Sequence, residues 1–177
     1  GYGYPLFMLI APLAYYVAEG FLLLGLGMVG AIKGVYALAF LASGVTMYLF
    51  ARRRLGRYGA LAAAVAYVYI PYHIVDIYVR ADLPEFMAMA FFPALLWAVD
   101  SLMSAANRRQ RTTGIAATAL LYAGLVLTHF TMGVIFSPVV VAYAFWRALI
   151  PDDQPRGGLR DLIGRLAPPA AALALGL

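Results

Sequence analysis

Cysteine is absent from the chain, which excludes a disulfide framework and every cysteine-ligated metal site. Charge is scarce as well. Asp, Glu, Lys and Arg make up 12% of the 177 residues, where a soluble domain carries about 25%. That deficit excludes an ordinary soluble domain. Segments of about ten residues alternating apolar with polar positions are missing, which excludes the pattern of a transmembrane β-barrel. Histidine occurs twice, without an HExxH spacing, so the zinc signal is weak. "GLGMVG" follows no strand and so is not a nucleotide-cradling loop. No Ser/His/Asp or Cys/His constellation stands out.

What fills the chain instead is apolar. Hydrophobic residues account for 64% of it, and the mean hydropathy is +0.84. The runs are continuous and rich in Ala, Leu and Gly. The expected class is all-α, a polytopic transmembrane helical bundle with the lipid bilayer as its partner. The net charge of +5 is dispersed over short loops, where it sets orientation, so nucleic acid is not expected as a partner. Nothing in the chain identifies a protein partner. It starts at Gly1 without a signal-peptide pattern and ends in "APPAAALALGL". Both edges read as those of a fragment of a longer membrane protein.

Three basic clusters divide the chain: "ARRRLGR" (51–57), "NRRQR" (107–111), and the stretch from Arg147 to Arg165. If basic loops face the cytoplasm, an even number of spans lies between successive clusters. Spans are expected near 28–50, 59–72, 84–102, 113–129 and 132–147. Residues 148–166 are expected to form a cytoplasmic loop whose second half can wind into an amphipathic helix, and 167–177 the start of a further span. The uncharged stretch from Thr112 to Trp146 is too long for one span of about 20 residues. It divides into two short spans with a turn at "THFTMG". Residues 1–26 read as an outer-loop segment with a helix lying at the interface, a full span being the alternative. The total is about five to six spans plus that helix.

Parity then places "PYHIVDIYVRADLPEF" (71–86) at the outer end. One His, two Asp, one Arg and one Glu fall within it. In helical spacing His73, Asp76 and Arg80 share a face, and Asp76 with Arg80 forms an i,i+4 pair. Asp82 is placed to cap a helix, with Pro84 in the first turn and Glu85 at the third position. The bland account is a capped, ion-paired loop. The sharper one is an outward site for an anionic or polar ligand. There Arg80 would take phosphate in a bidentate fork, and an acid or His73 would hold hydroxyls or move a proton. His129, at the second hairpin turn, is expected on the same side. A divalent metal held by His73, Asp76 and His129 is left open as a cofactor.

"GYGYPLFMLIAPLAYYVAEGFLLLGLG", "MYLFARRRLGRYGALAAAVAYVYIPY", "IYVRADLPEFMAMAFFPALLWAV" and "LTHF" together resemble bacterial polytopic membrane proteins of the GT-C glycosyltransferase type. The group they are most similar to carries the label "6-pyruvoyl-tetrahydropterin synthase-related" membrane domain, which implies no pterin chemistry here. Tyr78, Arg80, Pro84, Glu85 and Phe86 resemble that group's outer loop. The resemblance implies a polyprenyl-phosphate sugar donor, transfer on the extracytoplasmic side of a bacterial inner membrane, and a catalytic acid upstream of Gly1. The substrate-binding residues it suggests are Arg80, Glu85, His73, Asp76, Tyr78, Lys33 and His129, with Arg80 and Lys33 neutralising the leaving phosphate. The alternatives are a transporter or flippase of lipid-linked or polar substrates, and a non-catalytic membrane scaffold.

Overall fold

The computed structural model describes residues 11–150 and 159–177. The Tyr-Pro-Leu-Phe opening and positions 151–158 of the expected loop lie outside them. All regular structure among the described residues is helical, and four stretches are long and apolar enough to cross a membrane: Met28–Arg80, Leu83–Met103, Arg108–Thr128 and Phe130–Leu149. The protein is an all-α helical bundle of the integral membrane class.

Helix α1 (Leu13–Leu23) has 11 residues. At ~1.5 Å per residue it is about 16 Å long, half the ~30 Å hydrocarbon core, so it does not cross as a straight helix. Helix α2 (Met28–Val68) is broken at Gly56, where φ is 67°. Glycine reaches that left-handed region without the Cβ penalty. The break falls inside the first arginine cluster and folds α2 into two limbs. They pack closely: Val68 Cγ1 lies 3.5 Å from where a Cβ on Gly44 would stand. Phe40 meets Tyr69 edge-on at 6.1 Å.

The second limb continues through a short helix α3 (Pro71–Val75) and a π-helical turn, Asp76–Arg80. Helix α4 (Leu83–Met89) then leads into α5 (Phe91–Met103). Pro93 explains the joint between α4 and α5. It lacks the N–H that would bond the Met89 carbonyl. Tyr67 supplies the missing donor, its hydroxyl bonding the Met89 carbonyl oxygen at 2.7 Å, and the Thr46 hydroxyl lies 3.1 Å from the Ala90 carbonyl oxygen. The joint is thereby tied to both limbs of α2.

Helices α6 (Arg108–Thr128) and α7 (Phe130–Leu149) form the second hairpin, turning at His129 as the sequence suggests. They are not short, however, at 21 and 20 residues. Charged residues excluded from the expected spans wind into the helices. Asn107 caps α6 by accepting from the Gln110 N–H at 2.9 Å, and Arg147 stays helical because it is buried against Asp100. The second half of the expected 148–166 loop is helical, as the sequence allows, within α8 (Leu159–Leu175), where Asp161 and Arg165 pair at 2.7 Å.

Helix α5 is the centre. Its Leu95 and Val99 are buried with Ala88 of α4, Tyr122 and Leu125 of α6, and Val140 and Ala144 of α7. Phe92 stacks on Phe136 at 4.1 Å. A Cβ on Gly124 would stand 2.6 Å from the Phe91 ring, so only glycine allows α6 this close to α5. Outside, Leu41, Leu61, Leu120 and Val139 are exposed. An apolar exterior of this kind suits lipid, not water.

Candidate functional site

The polar groups gather at two ends. At one, Asp100 binds Arg53, Arg54, Arg147 and Tyr143. At the other lie the π turn, the start of α4 and the His129 turn. From Ile32, at the second end, to Arg53, at the first, the first limb of α2 rises about 31 Å, one bilayer core.

The second end is built by local backbone features. Pro71 opens α3 at a first-turn position, where a missing N–H is harmless. Ala81 has φ of 52°, the left-handed region, and reverses the chain after the π turn. Asp82 then caps α4, accepting from the Glu85 N–H at 3.0 Å. This is half of a capping box. In the full motif the Glu85 side chain would return to the Asp82 N–H.

Instead Glu85 turns to Arg80. Arg80 Nη1 donates to Glu85 Oε1 at 3.0 Å and to the Tyr72 hydroxyl at 2.7 Å, and Nη2 donates to Oε2 at 2.5 Å. The Tyr72 hydroxyl donates in turn to Oε1. The fork expected to grip phosphate is therefore closed on a carboxylate of the chain itself. The expected Asp76–Arg80 pair is present but longer, with Nε to Oδ1 at 3.8 Å. Glu85 is buried while the Arg80 side chain is 44% exposed.

Asp76 is fully buried, and neither carboxylate oxygen has a hydrogen bond among the described residues. His73 is buried too, but between Tyr67 and Phe86, whose ring centroids lie 4.9 Å and 5.5 Å away. Neither of its nitrogens has a hydrogen bond among the described residues. It packs among aromatic rings and makes no hydrogen bond or ion pair with Asp76 or Arg80. Tyr78 is 79% exposed and touches none of these groups through a hydrogen bond. Lys33 is exposed. The neighbouring cavity is lined by Ile32 and Tyr36 and not by Lys33.

That cavity has a volume of about 760 Å³. Its walls include Tyr15 of α1, Tyr36 of α2, Arg80, Asp82, Thr128 and His129. His129 thus does fall beside the 71–86 stretch, as expected. The chelating set imagined from the sequence does not form. The groups that converge are Asp82, Glu85 and His129, with ligand atoms within 4.8 Å of one another.

Sequence reasoning missed the Asp100 end. Arg53 Nη1, Arg54 Nη2 and Arg147 Nε reach its carboxylate at 3.2, 2.9 and 2.8 Å, and the Tyr143 hydroxyl donates at 3.0 Å. The available signal was Asp100 itself, one acid closing a long uncharged run. Comparison with protein-family models, with curated proteins and with solved structures finds no match for the chain.

Proposed function

We propose that the cavity at the Arg80 end binds a phosphate-bearing, lipid-linked sugar on the extracytoplasmic side of a bacterial inner membrane, and serves glycosyl transfer of the GT-C type. The observation that carries this reading is a half-exposed guanidinium in the wall of a ~760 Å³ cavity in a lipid-facing bundle. Phosphate and sugar need donors and acceptors together, and the cavity offers both. Arg80 spends two Nη1 bonds and one Nη2 bond on Tyr72 and Glu85. The second Nη2 N–H stays available for a phosphate oxygen. Binding is through that single edge, with Glu85 and Tyr72 fixing the guanidinium plane in advance. Asp82 and His129 face sugar hydroxyls, and Tyr15 and Tyr36 supply flat apolar surface beside them. The arginine-rich opposite end supports the assignment of sides, since basic loops stay cytoplasmic.

The test is retention of a radiolabelled polyprenyl-monophosphate hexose by the protein reconstituted in vesicles. Arg80→Ala is expected to weaken retention at least about tenfold, because a hydrogen bond to a charged group contributes roughly 1.5–3 kcal/mol. Equal retention by the variant and the parent removes Arg80 from the site and this reading with it.

A further inference from the structure

We propose that Asp82, Glu85 and His129 form a divalent-cation site in the wall of the cavity. The ion would use Asp82 and His129, side chains that the sugar reading also places in the cavity, but its test reads the ion alone. Its donors come from separate parts of the chain. Asp82 and Glu85 open α4, and His129 forms the turn between α6 and α7. Their ligand atoms lie within 4.8 Å of one another. Three donors each about 2.1 Å from one ion stand about 3.0–3.6 Å apart. Closure therefore draws them together by up to about 1–2 Å, which side-chain rotation supplies.

Each donor has capacity left. Asp82 accepts the cap bond through Oδ1, leaving Oδ2 for an ion. Glu85 Oε2 accepts only Arg80 Nη2, and a carboxylate oxygen has two lone pairs. His129 accepts from the Met132 N–H through Nδ1 at a long 3.3 Å. In that tautomer Nε2 carries the proton. Coordination through Nε2 moves the proton to Nδ1 and gives up this weak cap bond, and the imidazole stays neutral.

Charge supplies the independent observation. Asp76 is fully buried, its two oxygens have no hydrogen bond among the described residues, and it interacts electrostatically with both Glu85 and Asp82. Arg80 pairs with Asp76 and Glu85, and Asp82 lies beside Glu85 without an ion pair among the described residues, so carboxylates outnumber guanidiniums in this corner. Crowded, partly buried acids without enough counter-charge are unfavourable. A divalent cation at Asp82, Glu85 and His129 offsets that excess, with the buried Asp76 behind it. One imidazole and two carboxylates suit Mn²⁺, Fe²⁺ or Zn²⁺ better than Mg²⁺ or Ca²⁺, which favour oxygen alone. Asp82 and His129 also line the cavity, so the remaining coordination positions face a space that a ligand can enter.

The experiment uses the full chain in detergent micelles, stripped with chelator and titrated with Mn²⁺, free Mn²⁺ being read by electron paramagnetic resonance. The wild-type chain is expected to bind one Mn²⁺, displaced by Zn²⁺. Asp82→Asn and His129→Asn each place a good capping residue at a helix start, so both helices keep their N-termini while the ligand is lost. Each is expected to weaken Mn²⁺ binding more than about tenfold, the scale on which even supporting residues act. Circular dichroism confirms that both variants remain folded. Absence of Mn²⁺ binding by the wild-type chain, or unchanged affinity in either folded variant, overturns the site.

Discussion

The two ends of the bundle solve opposite charge problems. At the Asp100 end one buried carboxylate meets three guanidiniums and a tyrosine hydroxyl. At the Arg80 end one guanidinium meets two buried carboxylates, Asp76 and Glu85, with Asp82 close to Glu85. Arg53 and Arg54 come from α2 and Tyr143 and Arg147 from α7, so that acid, itself on α5, clamps three helices together. Arg54 is held further by the Trp146 ring, 5.1 Å from its guanidinium. The Arg80 end is less complete, since Asp76 has only a 3.8 Å approach from Arg80. A polar network that is satisfied rigidifies a fold, whereas an unpaired buried polar group is costly.

Substitutions can break this contrast. Asp100→Asn should have the largest effect, lowering stability by about 3–5 kcal/mol, because the buried carboxylate charge that Arg53, Arg54 and Arg147 share is removed. Thermal unfolding in detergent reads this directly, and a small shift would show the clamp to be dispensable. Next comes Asp82→Ala, which removes the cap of α4 and should cost about 1 kcal/mol, whereas Asp82→Asn should cost almost nothing. The paired unfolding curves separate capping from charge. Asp76→Asn should act in the opposite sense to Asp100→Asn. Neutralising an acid without a hydrogen bond should leave stability unchanged or raise it by up to about 1 kcal/mol in metal-free protein. A loss like that at Asp100 would abolish the distinction between the ends. Smallest is Tyr78→Ala, expected within about 0.5 kcal/mol of the parent, because the side chain is largely exposed and makes no hydrogen bond seen here.

Much of the architecture is local enough to read from the chain. Continuous apolar runs mark the helices, the His129 turn falls where the uncharged stretch must divide, and Asp82 caps where Pro84 and Glu85 follow it. The outer site is harder to read because its decisive contacts cross a reversal. Helical spacing pairs Arg80 with Asp76, but the left-handed Ala81 swings the chain so that Glu85 takes the guanidinium end-on through Nη1 and Nη2. Lys33 looked close in sequence to the outer end, yet its place on the helix turns it away from the cavity that Ile32 and Tyr36 line. Asp100 was opaque for another reason. Its partners are more than forty residues away, and basic loops at membrane ends read as orientation signals before they read as ligands of an acid.

The π-helical turn at Asp76–Arg80 has a consequence of its own. A π turn holds one residue more than an α turn needs, and such turns are costly enough to persist mainly where function uses them. The arrangement of Asp76, Arg80 and Glu85 is therefore set by a residue count as much as by residue identity. Every side chain could be kept and the corner still dismantled by deleting a single position from the turn. The spacing of the chain is itself a component of the site.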